Sequence, residues 1–235
     1  MYYLPSTRST MEEALRLLEG GCPTGTVVAA GFQERGRGRC PDRSWEAEAG
    51  RNLLFTLILE LPPGFPPQRL PILAGLALAR ALEGRFGLKT AVKWPNDLLH
   101  GGRKLAGILC EARARPGGPT QVLVGIGVNC NQLSFPRELK GRACCLRELL
   151  GAEVALPELL AAVLAAIHAA LGDGGWREAL EARLHGLGCP AVLRDGGRAV
   201  RGIVRGVAED GALLLESGGR VGSFYNGELA IQAEA

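Results

Sequence analysis

KWPNDLLHGGRKLAGILCEA, residues 93–112, carries two apolar runs on either side of a Gly-Gly pair. KTAVKWPNDLL (89–99) and KLAGILCEA (104–112) read as two strands, and HGGR between them as a hairpin turn, because paired glycines supply the backbone freedom that tight turns need. Pro95 has no N–H and stops the ladder, so Asn96 and Asp97 project polar atoms from the strand end. A carboxylate there suits Mg²⁺, a ribose or a phosphate; an Asn-Asp turn capped by its own side chains is the plainer alternative. Lys104 enters the second strand, placed to point back toward the end of the first. Two of only four lysines, Lys93 and Lys104, fall in this stretch, in a chain with 23 arginines.

Outward from this hairpin the pattern is mixed. Toward the N-terminus, Tyr2–Leu4 reads as a short strand, and Ser9-Thr10-Met11-Glu12-Glu13 carries two overlapping S/T-x-x-E capping boxes before a helix that Gly20-Gly21 ends. TVVAAGF (26–32) and NLLFTLIL (52–59) read as buried strands, and Leu70 to Arg85 has the spacing of a helix packed on a sheet. QVLVGIGVNCN (121–131) is a further strand, beyond a turn at Pro116-Gly117-Gly118-Pro119. Leu156 to His185 is helical with a break near Gly172–Gly175. After Gly188-Cys189-Pro190, five short alternating runs separated by glycine turns suggest a small β-barrel appended to an α+β domain. The expected division is 1–186 and 187–235.

The 235 residues, 47% hydrophobic, suffice for a sizeable core, and no apolar run approaches the roughly 20 residues that span a bilayer. No signal-peptide pattern opens the chain, so a protein that is not exported and makes no use of a membrane is expected. Seven cysteines without a C-x-x-C pair argue against structural zinc or a disulfide framework and fit a reducing cytoplasm. The net charge of +3 does not by itself indicate a nucleic-acid partner.

GFQERGRGRCPDRSW (31–45) has almost nothing to place in a core. Gly36 and Gly38 let main-chain N–H groups approach an anion, and Arg37, Arg39 and Arg43 supply fork-shaped donors for phosphate or carboxylate. A small polyanion is one fitting ligand; a solvated loop and loose RNA binding are the alternatives. Gly125-Ile126-Gly127-Val128-Asn129 weakens an apolar strand unless another group must come close. His100, His168 and His185 form no catalytic or metal set.

In order along the chain, S-T at 9–10, Q-x-x-G-R-G-R at 33–39, Trp45, G-x-N-L at 50–53, KWPND at 93–97, K-x-x-G-I-L at 104–109 and G-x-G-x-N at 125–129 resemble the biotin–protein ligases. The resemblance implies a class II synthetase-like α+β catalytic domain, a mixed sheet backed by helices, followed by an SH3-like barrel. With the first motif at Ser9, it implies a monofunctional ligase without a DNA-binding domain. It also implies the two-step use of biotin, ATP and Mg²⁺: biotinyl-5′-AMP forms, then acylates one lysine of a biotin carboxyl carrier protein or domain. A lipoate-type acyl ligase is the alternative within the same fold, and monomer and homodimer both stay open.

By that resemblance Lys104 is the central cation between two anionic reactants, with Arg37 and Arg39 closing over carboxylate and phosphate. Ser9, Thr10 and Gln33 face biotin, and Gly38 and Gly107 allow close main-chain approach. Trp45 stacks on adenine, while Lys93, Asn96, Asp97 and Asn129 lie near the nucleotide, with Mg²⁺ arriving with ATP near Asp97 and no metal held permanently. Residues 34–50 form a lid over the adenylate. Three departures stand out: Met11 where the family often has Asn, a Cys40–Arg43 segment one residue longer than usual, and EAEA at 46–49 in place of a small, Pro-containing stretch.

Overall fold

The computed structural model describes residues 1–40, 43–113 and 118–232. Pro41 and Asp42, and Pro116 and Gly117 of the expected turn, lie outside the described residues. In chain order the first elements are β1 (Tyr2–Leu4), α1 (Thr10–Glu19), β2 (Val27–Ala30), β3 (Leu53–Glu60), α2 (Leu70–Phe86), β4 (Ala91–Lys93) and β5 (Asp97–His100). They are followed by β6 (Arg103–Arg113), β7 (Gln121–Val128), α3 (Leu146–Leu150), α4 (Leu156–Leu171) and α5 (Trp176–Glu181). The last five strands are β8 (Pro190–Asp195), β9 (Arg198–Val207), β10 (Leu213–Ser217), β11 (Arg220–Phe224) and β12 (Glu228–Ile231). Two compact units result: residues 1–67 with 100–162, and residues 68–99 with 163 onward.

In the first unit the strands lie side by side in the order β1-β2-β3-β7-β6. The β1–β2 pair is parallel and the others antiparallel, so the sheet is mixed, as expected. Helix α1 begins at Ser9, whose hydroxyl oxygen accepts the Met11 N–H at 3.2 Å. Glu13 does not close a capping box; its carboxylate accepts the Thr7 hydroxyl at 3.2 Å. Met11, Ala14 and Leu18, three and four residues apart, form one face that packs on Val28, Ile58 and Leu123 of the sheet. Burying a side chain the size of Leu18 contributes about 1.5–3 kcal/mol relative to leaving it in water.

The second unit contains α2, buried along most of its length because its sequence is apolar on every side. Gly87 ends it in the left-handed conformation (φ 66°), its N–H bonded to the Glu83 carbonyl at 2.8 Å. The single strand expected over 89–99 is in fact two. Trp94 to Asn96 form a turn, and β4 folds back antiparallel on β5 with Lys93 opposite Asp97. Pro95 explains the break, since the ladder ends where its N–H is missing. The C-terminal runs form an antiparallel sheet ordered β11-β10-β9-β8-β12, consistent with an SH3-like domain. Ala191, Leu193, Leu213 and Leu215 point inward by the two-residue alternation of strands.

Candidate active site

The first unit contains ten of the thirteen residues singled out in the sequence: Ser9, Thr10, Gln33, Arg37, Gly38, Arg39, Trp45, Lys104, Gly107 and Asn129. Its floor is one face of the sheet, where Gly107 pairs with Gly127 and Leu109 with Gly125 across β6 and β7. On the other side of β7, Thr56 pairs with Gly125 and Leu54 with Gly127. Directly paired residues share a face, so three glycines and Thr56 form one continuous patch. None of the three glycines has a positive φ. They are there for space: a Cβ on Gly127 would lie 2.5 Å from the Trp45 ring, and one on Gly107 2.9 Å from it.

The Arg-Gly segment is not an open loop. Gly38 N–H donates to the Arg43 carbonyl at 2.9 Å, Trp45 N–H to the Gly36 carbonyl at 2.9 Å, and Arg37 bridges Ser44. A Cβ on Gly36 or Gly38 would lie 2.6 Å from the carbonyl oxygen of Trp45 or Arg43, so the two arms approach closely only because both residues are glycine. This small hairpin lays the Trp45 ring on the glycine floor. Lys104 Nζ stands 5.6 Å from the ring centroid and 3.2 Å from the Cβ position of Gly107. Trp45 Nε1 is buried without a hydrogen-bond acceptor, which costs about 1–3 kcal/mol and leaves a donor for a ligand to meet.

Beside the floor, Gln33 Oε1 accepts two hydrogen bonds from Thr10, the backbone N–H at 2.8 Å and the hydroxyl at 3.0 Å. Thr56 hydroxyl donates to Thr10 Oγ1 at 2.9 Å. Arg37 pairs with Glu111 at 2.6 Å; a pair this exposed is worth only about 0–1 kcal/mol, so an anionic ligand can exchange it cheaply. Asn129 Nδ2 donates to the carbonyls of Cys144 (3.1 Å) and Lys104 (3.4 Å), and its N–H to Leu105 at 2.9 Å. Those bonds fix the backbone that carries Lys104 and leave Asn129 Oδ1 as the atom for a ligand.

The sequence reading gave no structural role to several contributors, although Asn52, Glu48 and Met11 stood in stretches it had quoted. Thr56 stands as the one polar residue in LLFTLIL, and that polarity was the available signal. Asn52 Oδ1 accepts the Cys130 N–H at 2.8 Å and braces the end of β7. Glu48, within the unusual EAEA stretch, accepts N–H bonds from Leu133 and Ser134, both at 3.1 Å; the Leu133 N–H is the main cause of its lowered pKa. Met11 is 4% exposed and its thioether lies 2.8 Å from the Cβ position of Gly125, so it enters the core instead of offering a polar contact. Burial pushes the Cys130 thiol up to about 12 and the Cys144 thiol up to about 11, which leaves both inert as nucleophiles.

Lys93, Asn96 and Asp97 belong to the second unit, at the tip of the β4–β5 hairpin. Trp94 is 2% exposed, and its indole N–H donates to the Gly211 carbonyl at 3.2 Å. Gly211 (φ +95°) sits so close to Arg69 that a Cβ would lie 2.7 Å from the Arg69 Cα. Arg69 in turn pairs with Glu209 at 3.0 Å and stacks over the Trp176 ring. On the other strand of the tip, His185 N–H donates to the Val92 carbonyl at 2.9 Å. Burial, then the nearby Lys93 charge, lowers the His185 pKa. Among the described residues no three His, Cys, Asp or Glu side chains cluster to hold a metal, and no helix is long and apolar enough to cross a membrane.

A family model described as the biotin/lipoate A/B protein ligase family matches residues 3–129, more than half of the chain. The chain belongs to this family. A second model, the biotin protein ligase C terminal domain, matches residues 190–228. A biotin–acetyl-CoA-carboxylase ligase of Paracoccus denitrificans is 37% identical over 224 residues, covering 90% of this chain and 92% of the relative. The bifunctional ligase/repressor BirA of Bacillus subtilis is 31% identical, covering 95% and 71%. The solved biotin protein ligase of Aquifex aeolicus in complex with biotin and ATP superposes with a TM-score of 0.83 at 28% identity, covering 99% of this chain and 98% of that one. The fold expected from the resemblance is therefore that of this ligase family, with its C-terminal domain.

Proposed function

We propose that this chain is an ATP-dependent biotin–protein ligase that forms biotinyl-5′-AMP and transfers biotin to one lysine of a biotin carboxyl carrier domain. The observation that carries the reading is the meeting of Lys104 Nζ and the Trp45 ring over the Gly107–Gly127 floor, beside the Thr10–Gln33 hydrogen bonds. A cation, an aromatic face laid on a floor of glycines and a set of polar groups beside it suit an acid with a polar ring that must meet a nucleotide. The relatives named above act on biotin and, in one case, were seen with biotin and ATP.

In the first step a biotin carboxylate oxygen attacks the α-phosphorus of Mg–ATP, the bond to the bridging oxygen breaks, and pyrophosphate leaves. Both reactants are anions, so the step needs positive charge between them; Lys104 supplies it, and Arg37, released from Glu111, and Arg39 add theirs. Ser9, Thr10 and Gln33 hold the ring of biotin, with Gly38 and Gly107 giving close approach. Trp45 stacks on adenine and its Nε1–H gains an acceptor. Lys93, Asn96, Asp97 and Asn129 are the residues that the family resemblance proposes for the nucleotide. Mg²⁺ arrives as part of the substrate, and Asp97 would be the carboxylate to hold it.

In the second step the carrier lysine nitrogen attacks the acyl carbon, an amide forms, AMP leaves with the bonding pair, and the amine proton passes to solvent. The lid proposed over 34–50, with its paired arms at 36–38 and 43–45, covers the mixed anhydride meanwhile and keeps water from it. A catalytic part over 1–186 and a barrel over 187–235 remain the working division. The seven cysteines form no C-x-x-C pair in the sequence, which fits a reducing cytoplasm as the compartment.

The test is ATP–pyrophosphate exchange with no acid, biotin or lipoate. Biotin alone is expected to stimulate it. Lys104→Ala is expected to lose about 10²–10³-fold while keeping its melting temperature, as removal of one charge from a preorganised site does. Stimulation by lipoate, or full activity of Lys104→Ala, overturns the reading or the assignment respectively.

A further inference from the structure

Hydrogen-bond direction in the buried Thr56–Thr10–Gln33 chain is fixed by elimination. A backbone N–H only donates, so the Gln33 amide atom 2.8 Å from Thr10 N is its oxygen. That oxygen accepts, so the Thr10 hydroxyl 3.0 Å away gives it its single proton. The contact of 2.9 Å between the two threonine hydroxyls is then a donation by Thr56. A hydroxyl oxygen has two lone pairs. With one occupied by Thr56, Thr10 Oγ1 keeps one free lone pair and no proton, and Gln33 turns its NH₂ away from Thr10, within 3.3 Å of the Cβ position of Gly36.

We propose that Thr56 is a positioning residue: by occupying one lone pair of Thr10 Oγ1 it holds that hydroxyl in the rotamer that donates to Gln33 Oε1, so that Thr10 turns its one remaining lone pair and Gln33 its NH₂ toward the bound acid and the pocket selects a ring bearing an N–H beside an acceptor, as a cyclic urea does. This rests on the biotin reading above. Thr56 is fully buried and paired with floor residue Gly125, so it acts through Thr10 and not by contact with the acid. Its donation also polarises the Thr10 hydroxyl and, through it, the Gln33 amide, strengthening each bond in the series. A dithiolane ring has no N–H and gains nothing from this arrangement.

Thr56→Val preserves shape and removes the donor. Calorimetry on the full chain is expected to show biotin binding weakened about tenfold, the worth of one hydrogen bond. The KM for ATP is expected to stay within about twofold, and lipoate affinity to be unchanged, so the preference for biotin over lipoate narrows by the same factor. Thr56→Ser restores the donor and is expected to restore the preference. Should Thr56→Val not fold, Thr56→Ala measured against Thr56→Ser carries the same comparison. Unchanged biotin affinity, a parallel loss for biotin and ATP, or failure of serine to rescue overturns the role of Thr56. Wild-type protein that binds no biotin overturns the underlying reading, and that result is visible before any variant is made.

Discussion

Gly107, Gly125 and Gly127 lie within the strands of the first unit, whereas Gly196, Gly197, Gly218 and Gly219 form the two-residue turns of the C-terminal sheet. The first group has no positive φ, and a Cβ on any of them would lie 2.5–2.9 Å from a neighbouring side chain. The second group has φ between 51° and 84°, and a Cβ on any of them would meet nothing within 4 Å. One set is glycine because something must lie on it; the other is glycine because the backbone must turn through it. In these two groups the crowded, extended glycines lie under a side chain of the site, and the open, left-handed ones serve the fold.

Two substitutions test that distinction, starting with the larger effect. Gly127→Ala pushes Trp45 off the floor, and overpacking of about 1–3 kcal/mol corresponds to a loss of about 5–150-fold in kcat/KM for pyrophosphate exchange. Its melting temperature is expected to hold within a few degrees; a large fall in stability with normal kinetics would place Gly127 with the turn glycines. Gly197→Ala is the converse. Forcing an alanine to positive φ costs about 1–2 kcal/mol, a fall of about 2–8 °C in melting temperature, with both KM values unchanged.

The smallest effect concerns His185 beneath the β4–β5 tip. Burial and Lys93 lower its folded pKa, so the unfolded chain takes up the proton first. Stability is then full above the unfolded value, near 6.5, and is lost as pH falls from there through the folded value. Between pH 7.5 and 5.5 the wild type is expected to lose on the order of 1–3 °C more than His185→Gln. Equal slopes for the two proteins would show that the imidazole is no cost to the tip.

The C-terminal sheet was legible in sequence because alternation and double glycines report on local geometry alone. Strand β7 and helix α2 were legible for a similar reason, as long apolar runs with clear ends. The 89–99 run misled because Trp94 is as apolar as its neighbours; only Pro95 hinted that the ladder turns back there. Composition showed that residues 34–45 belong to no core, but not that Gly36, Gly38, Arg43 and Trp45 close a hairpin through main-chain bonds. The motif residues proposed to meet a ligand, and Asn52 within G-x-N-L, were readable as a family pattern. Thr56 and Glu111 were not, since each acts through a partner brought close only by the sheet.

The bond from the Trp94 indole to the Gly211 carbonyl joins residues 117 positions apart. At synthesis rates of about 5–20 residues per second, the acceptor emerges from the ribosome about 6–23 s after the donor. Throughout that interval the hairpin that carries Lys93, Asn96 and Asp97 exists as chain but lacks the turn that buttresses it. A nascent or prematurely terminated polypeptide thus holds every residue of the N-terminal motifs while the Trp94 indole still lacks its acceptor, and the β4–β5 hairpin is braced only once Gly211 has emerged.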